Sequence, residues 1–123
     1  MTIDDFDTYL RTLGLTVEVI QGNDGSHYTV VRDYELPKGS LRGRRCDIAI
    51  QRQEAVPFVV PAAIHTRPPL VPMSMKEPLK TQKSDIGPDW QYWSRRYDHR
   101  PRPKELWAHM LTILWTTDGR PTS

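Results

Sequence analysis

The chain of 123 residues predicts an α+β fold: an N-terminal helix, an antiparallel meander of three or four strands, a long irregular loop and a C-terminal helix. Three observations predict it. The first residues carry an amphipathic helical pattern, residues 15–51 alternate apolar and polar side chains between turn signals, and the residues after Pro103 return to helical spacing. Such an order of elements places both helices on one face of the sheet. The length suits one domain over residues 1–123 with one modest core.

Taken in order, Phe6, Tyr9, Leu10 and Leu13 fall at i, i+3, i+4 and i+7, with Thr2 and Asp5 spaced as a capping box and Gly14 as a stop. A helix over 2–13 follows. From Leu15 to Gln21, Leu15, Val17 and Val19 share one strand face and Thr16, Glu18 and Ile20 the other, until Gly22-Asn23-Asp24-Gly25-Ser26 breaks the pattern. His27 to Leu36, rich in Tyr and Val, reads as a second strand that stops at Pro37-Lys38-Gly39. Cys46, Ile48 and Ile50 then alternate with Asp47, Ala49 and Gln51, which predicts a third strand with Cys46 turned inward.

Nine of the eleven prolines lie between Pro57 and Pro103. Phe58–Ile64 reads as a short fourth strand, with Pro61 marking it as an edge or a bulge. The remainder reads as a long, ordered, proline-stiffened loop, because Trp90, Tyr92, Trp93 and Tyr97 need something to pack against. Pro103 suits a first helical position, and Leu106, Trp107, Met110, Leu111, Ile113, Leu114 and Trp115 repeat at helical spacing through Thr117. That stripe reads as core, wide enough for part of it to meet a partner.

Composition narrows the function classes. No apolar run approaches the ~20 residues of a spanning helix, and the acidic start is unlike a secretory signal, so a soluble, cytoplasmic chain with no membrane partner is expected. A single cysteine excludes an internal disulfide, and no Cys/His pair has zinc-finger spacing, so neither a structural metal nor a cofactor is expected. The formal charge of +2 conceals a segregation: residues 1–35 hold seven acids and two bases, the remainder fifteen bases and eight acids. A basic C-terminal part suits nucleic acid or an acidic protein surface.

Catalytic templates are missing: there is no Gly-rich phosphate loop, His-Glu-x-x-His or Gly-x-Ser-x-Gly. Cys46, on the apolar side of a strand, reads as a small core residue rather than a nucleophile. His99 is a proton-shuttle candidate, although a surface histidine is the commoner occupant of an Arg-rich loop. Ser94 requires an activating base, and only His99 is near it in sequence. Residues 95–104 hold five bases, Arg95, Arg96, Arg100, Arg102 and Lys104, beside Trp90 and Trp93. This resembles a phosphate-binding patch with stacking platforms, but the near-balanced charge and the lack of a nucleic-acid motif argue against that partner. A solvated loop whose arginines pair with the acidic N-terminal third is the plainer reading.

Leu36-Pro37-Lys38-Gly39, the strand Cys46-Asp47-Ile48-Ala49-Ile50, the proline-studded Val56-Pro57 to Pro72, the box Trp90-Gln91-Tyr92-Trp93-Ser94-Arg95 and a closing helix together resemble the bacterial ubiquitin-conjugating-enzyme-like proteins of the prokaryotic family E type. The resemblance covers nearly the whole chain and implies the UBC fold. It also implies neighbours in such systems, a ubiquitin-like protein and an activating-enzyme homologue, and an association with anti-phage defence. In active members the long segment, here about residues 73–100, carries the catalytic cysteine, and this chain has none there. A proline-tyrosine-proline style signature also departs, reading Ala55-Val56-Pro57-Phe58.

The expectation is therefore a non-catalytic UBC-like subunit that binds a ubiquitin-like protein or its conjugation partners through its sheet or through the loop of Trp90, Trp93, Arg95, Arg96, Arg100 and Arg102. The sharper alternative is an active conjugating enzyme that carries an oxyester on Ser94. The third alternative is a nucleic-acid-binding module built on residues 95–104.

Overall fold

The computed structural model describes residues 1–53, 58–97 and 100–117. Helix α1 (Ile3–Thr12) starts as its sequence dictates: Thr2 Oγ1 accepts the Asp5 N–H at 3.1 Å, and the Asp5 carboxylate accepts the Thr2 N–H at 2.8 Å. Strands β1 (Val17–Gln21), β2 (His27–Glu35) and β3 (Arg45–Gln51) form the antiparallel meander within two residues of the expected spans. The register of β2 on β3 slips between Val31 and Tyr34, where Asp33 adopts φ 50° and its N–H donates to Asp47 Oδ1 at 2.9 Å.

Two strand expectations are corrected. The fourth strand is β4 (Ala63–Arg67) rather than Phe58–Ile64, because Pro61 has no N–H to give a ladder and pairing begins beyond it. It is also internal, between β3 and β6. The supposed irregular loop holds two more strands, β5 (Thr81–Lys83) and β6 (Gln91–Ser94), so the sheet has six strands in the order β1-β2-β3-β4-β6-β5, antiparallel throughout. Pro68, Pro69, Pro72, Pro78 and Pro88 all fall in the turns between β4, β5 and β6. Helix α2 (Pro103–Thr116) closes the fold.

The strand period of two sorts side chains onto two faces. On one, Val31, Cys46, Ile48, Ile50, Ile64 and Trp93 pack with Phe6 and Leu10 of α1 and with Leu106, Met110 and Leu114 of α2. On the other, Tyr28, Val30 and Ala49 pack against Ile86 and Trp90 from the β5–β6 connection. Both helices therefore lie on one face and a short loop lies on the other. The apolar stripe of α2 is core: Leu106, Trp107, Met110, Leu111, Ile113 and Leu114 are all buried.

Two contacts, one polar and one a close backbone approach, hold these layers in place. Arg52 donates to Asp7 and to Thr29 Oγ1, and Thr29 Oγ1 itself donates to Asp7 at 2.7 Å, which ties α1 to the sheet. The turn Pro37-Lys38-Gly39 seats against the end of α2, where Gly39 adopts φ +86° and a Cβ would fall 2.2 Å from the Trp115 carbonyl oxygen. Only glycine meets both conditions. No helix among the described residues is long and apolar enough to cross a membrane.

Candidate functional site

The segment from β4 through β6 carries most of the chemistry. Trp93 is 0% exposed, its indole N–H donating to Thr66 Oγ1 at 3.0 Å, and Trp90 is 3% exposed with the Arg67 guanidinium 4.9 Å from its ring centroid. Both rings belong to the core.

Ser94, at the end of β6, borders a hollow of about 500 Å³ shared with Ala62, Glu77, Pro78, Lys80, Arg95 and Arg96. Among the described residues the lining contains no histidine, and its one carboxylate, Glu77, is engaged by Lys80 at 2.7 Å. A serine there has no base among the described residues to take its proton. Arg95 turns inward and donates to the carbonyls of Leu79 at 2.8 Å and Ser94 at 2.7 Å, and burial pulls its pKa down. Arg96, Arg100 and Arg102 are exposed, whereas His99 lies outside the described residues.

The expected pairing of this basic loop with the acidic N-terminal third takes a different form. Glu18 is met by Arg32 at 2.8 Å, Asp33 by Arg45 at 2.8 Å, and Asp4 by Arg52 at 2.7 Å. These partners come from β2, β3 and the residue just after β3. Among the described residues, no carboxylate pairs with the side chains of Arg96, Arg100 or Arg102.

Cys46 lies where its alternation placed it, 3% exposed on β3 under the helices. Burial, with the Asp47 charge beside it, pushes the thiol up to about 12. At neutral pH roughly one molecule in 10⁵ would hold the thiolate that transthiolation needs. Neighbouring Asp47 keeps its own charge: burial opposes it, but the Asp33 N–H and the guanidinium groups of Arg67 and Arg32 hold its carboxyl below the usual range.

One further pair was not visible in the sequence. His65 of β4 points to the face away from the helices, and its Nδ1 lies 2.7 Å from Ser84 Oγ, just past the end of β5. His65 is 5% exposed and Ser84 7%. Nineteen residues separate them, and with Phe58–Ile64 read as the strand, His65 fell outside it. Among the described residues, no group of three or more His, Cys, Asp or Glu is placed to hold a metal ion.

A family model described as prokaryotic E2 family E matches residues 3–118. No curated protein and no solved structure matches the chain.

Proposed function

The chain belongs to prokaryotic E2 family E, and from that membership we propose that it serves a bacterial ubiquitin-like conjugation system in the cytoplasm as a binding subunit, one UBC-like domain that carries no cysteine thioester. The observation that carries this reading is Cys46: the sole sulfhydryl is 3% exposed beneath two helices, and its thiol is pushed up to about 12. A thioester carrier needs the opposite, an accessible sulfur that ionises near neutral pH and leaves easily.

The partners are a ubiquitin-like protein and its activating-enzyme homologue. The exposed Arg96, Arg100 and Arg102, without carboxylate partners of their own among the described residues, support an acidic partner surface. Burial of Trp90 and Trp93 removes the two stacking platforms on which a nucleic-acid reading relied.

Size-exclusion chromatography with a ubiquitin-like protein of the same bacterial conjugation system, at tens of micromolar, should give a co-eluting complex that persists in Cys46→Ala. Incubation with the activating enzyme and ATP should give no reductant-labile adduct on Cys46. Absence of a complex, or a reductant-labile adduct lost in Cys46→Ala, would overturn the proposal. The implied link to anti-phage defence adds a cellular counterpart, loss of phage resistance when the gene is deleted from its operon.

A further inference from the structure

We propose that Ser84 and His65 form a nucleophile and general-base pair that accepts an acyl group, as an oxyester, from a peptide thioester. This goes beyond the binding role above and does not involve Cys46. The choice of a peptide thioester as donor rests on the proposed place in a conjugation system, whereas the pair itself rests on geometry alone.

The pair has the contacts that a hydroxyl nucleophile needs. Ser84 Oγ lies 2.7 Å from His65 Nδ1 and accepts the Ile86 N–H at 3.1 Å. With one lone pair engaged by that amide, the hydroxyl proton is directed at Nδ1, provided the ring carries its own proton on Nε2. The imidazole is clamped edge-on by Tyr28 and Tyr92, at centroid distances of 5.2 and 5.4 Å, so its orientation is set before any ligand arrives. Burial lowers the His65 pKa to about 4, which keeps the ring neutral at physiological pH but also weakens it as a base, so the proton transfer leans on the Asp24 charge that opposes the shift.

Access and charge complete the arrangement. Ser84 borders an open hollow of about 380 Å³ shared with Asn23, Asp24, Lys83, Asp85, Gly87 and Pro88. Asp24 is held there by the Tyr28 hydroxyl, which donates to it at 2.9 Å, and its negative charge favours protonation of His65. An imidazolium formed during reaction therefore has a counter-charge in place. Ser94, by contrast, has a hollow but no base among the described residues.

The step balances without metal or redox partner. Ser84 Oγ attacks the thioester carbonyl carbon as its proton passes to His65 Nδ1. The tetrahedral intermediate collapses with cleavage of the C–S bond, and the imidazolium returns the proton to the departing sulfur. Serine and thioester become seryl ester and thiol.

The test uses the full chain with two probes, a fluorophosphonate ester and the benzyl thioester of a short peptide, and maps adducts by mass spectrometry. Both probes should modify Ser84. The peptide adduct should survive reductant and be released by hydroxylamine. Ser84→Ala should abolish both adducts, and His65→Asn should slow them at least tenfold, with circular dichroism confirming that each variant is folded. Ser84→Cys should convert the peptide adduct to one that free thiol removes, a readout that stands even if His65→Asn fails to fold. Labelling elsewhere, labelling unaffected by His65→Asn in a folded protein, or no adduct above the Ser84→Ala background would overturn the assignment. Labelling by the fluorophosphonate without the thioester overturns the donor and leaves the pair. Complex formation with the ubiquitin-like protein, measured separately, reports on the binding role whichever way the labelling falls.

Discussion

A histidine that is 5% exposed takes a proton only at a cost, and His65 shows where on the pH axis that cost falls. Its folded-state pKa is lowered from 6.5 to about 4 by burial, so in the window between those values the unfolded chain binds the proton and the folded chain does not. The stability contribution is therefore complete above 6.5 and is lost as pH falls toward 4, by about 3 kcal/mol over the window. His109, lowered by burial too, acts in the same direction. Asp47, whose carboxyl is held below its ordinary 3.8, adds its loss only in stronger acid. Urea denaturation at pH 7.0, 6.0 and 5.5 should show the midpoint falling, with most of the fall missing in His65→Asn. A flat midpoint across that range would mean that His65 is not held neutral by the fold.

At the scale of elements, the β4–β6 region depends on one side chain. Gln91, the first residue of β6 and 0% exposed, accepts the Leu70 and Val71 N–H groups at 2.9 and 3.3 Å and donates to the Val71 carbonyl at 2.7 Å. It thereby pairs the backbone of a proline-rich connection that has no strand beside it there. Gln91→Leu keeps the volume but leaves these groups buried without partners, at about 3 kcal/mol in total. Hydrogen exchange at Leu70 and Val71 should accelerate, while the α1 amides should follow only the global loss of stability. Equal acceleration everywhere would place Gln91 in the general core rather than in this junction. The same junction marks the limit of what the residues disclosed beforehand. The meander and both helices were legible because their periods are local: Phe6 and Leu10 recur at helical spacing, and Cys46, Ile48 and Ile50 at strand spacing. β5 is three residues long and β6 four, too short to show a period. Proline density around them read as loop, although the prolines lie in the turns between strands. The site was legible for the same reason and no further. Inward Cys46 followed from alternation, whereas the contact of His65 with Ser84 exists only because β4 and β5 flank β6.

Across the whole molecule, the charges divide by task. Of the acids in the first third, Glu18, Asp33 and Asp4 are engaged by Arg32, Arg45 and Arg52, and Asp47 by Arg67, so the cations that hold the sheet together come from its own strands and the residue that follows β3. Arg96, Arg100 and Arg102 take no carboxylate among the described residues and stand exposed ahead of α2. Removing their charge therefore should not weaken the fold. Arg102 sits at the N-cap of α2, where the helix dipole disfavours a cation, so a glutamate there should add roughly 0.5 kcal/mol. The triple reversal Arg96→Glu, Arg100→Glu, Arg102→Glu should accordingly melt within a few degrees of the parent. Its affinity for the ubiquitin-like partner should fall at least tenfold near 0.15 M salt, with most of the loss in the association rate. In the parent chain, binding should weaken steeply as salt is raised, and the triple variant should lose that dependence. A variant that melts early would show these arginines to be structural. A stable variant that binds as tightly as the parent, with the same salt dependence, would move the partner surface off the loop and onto the sheet.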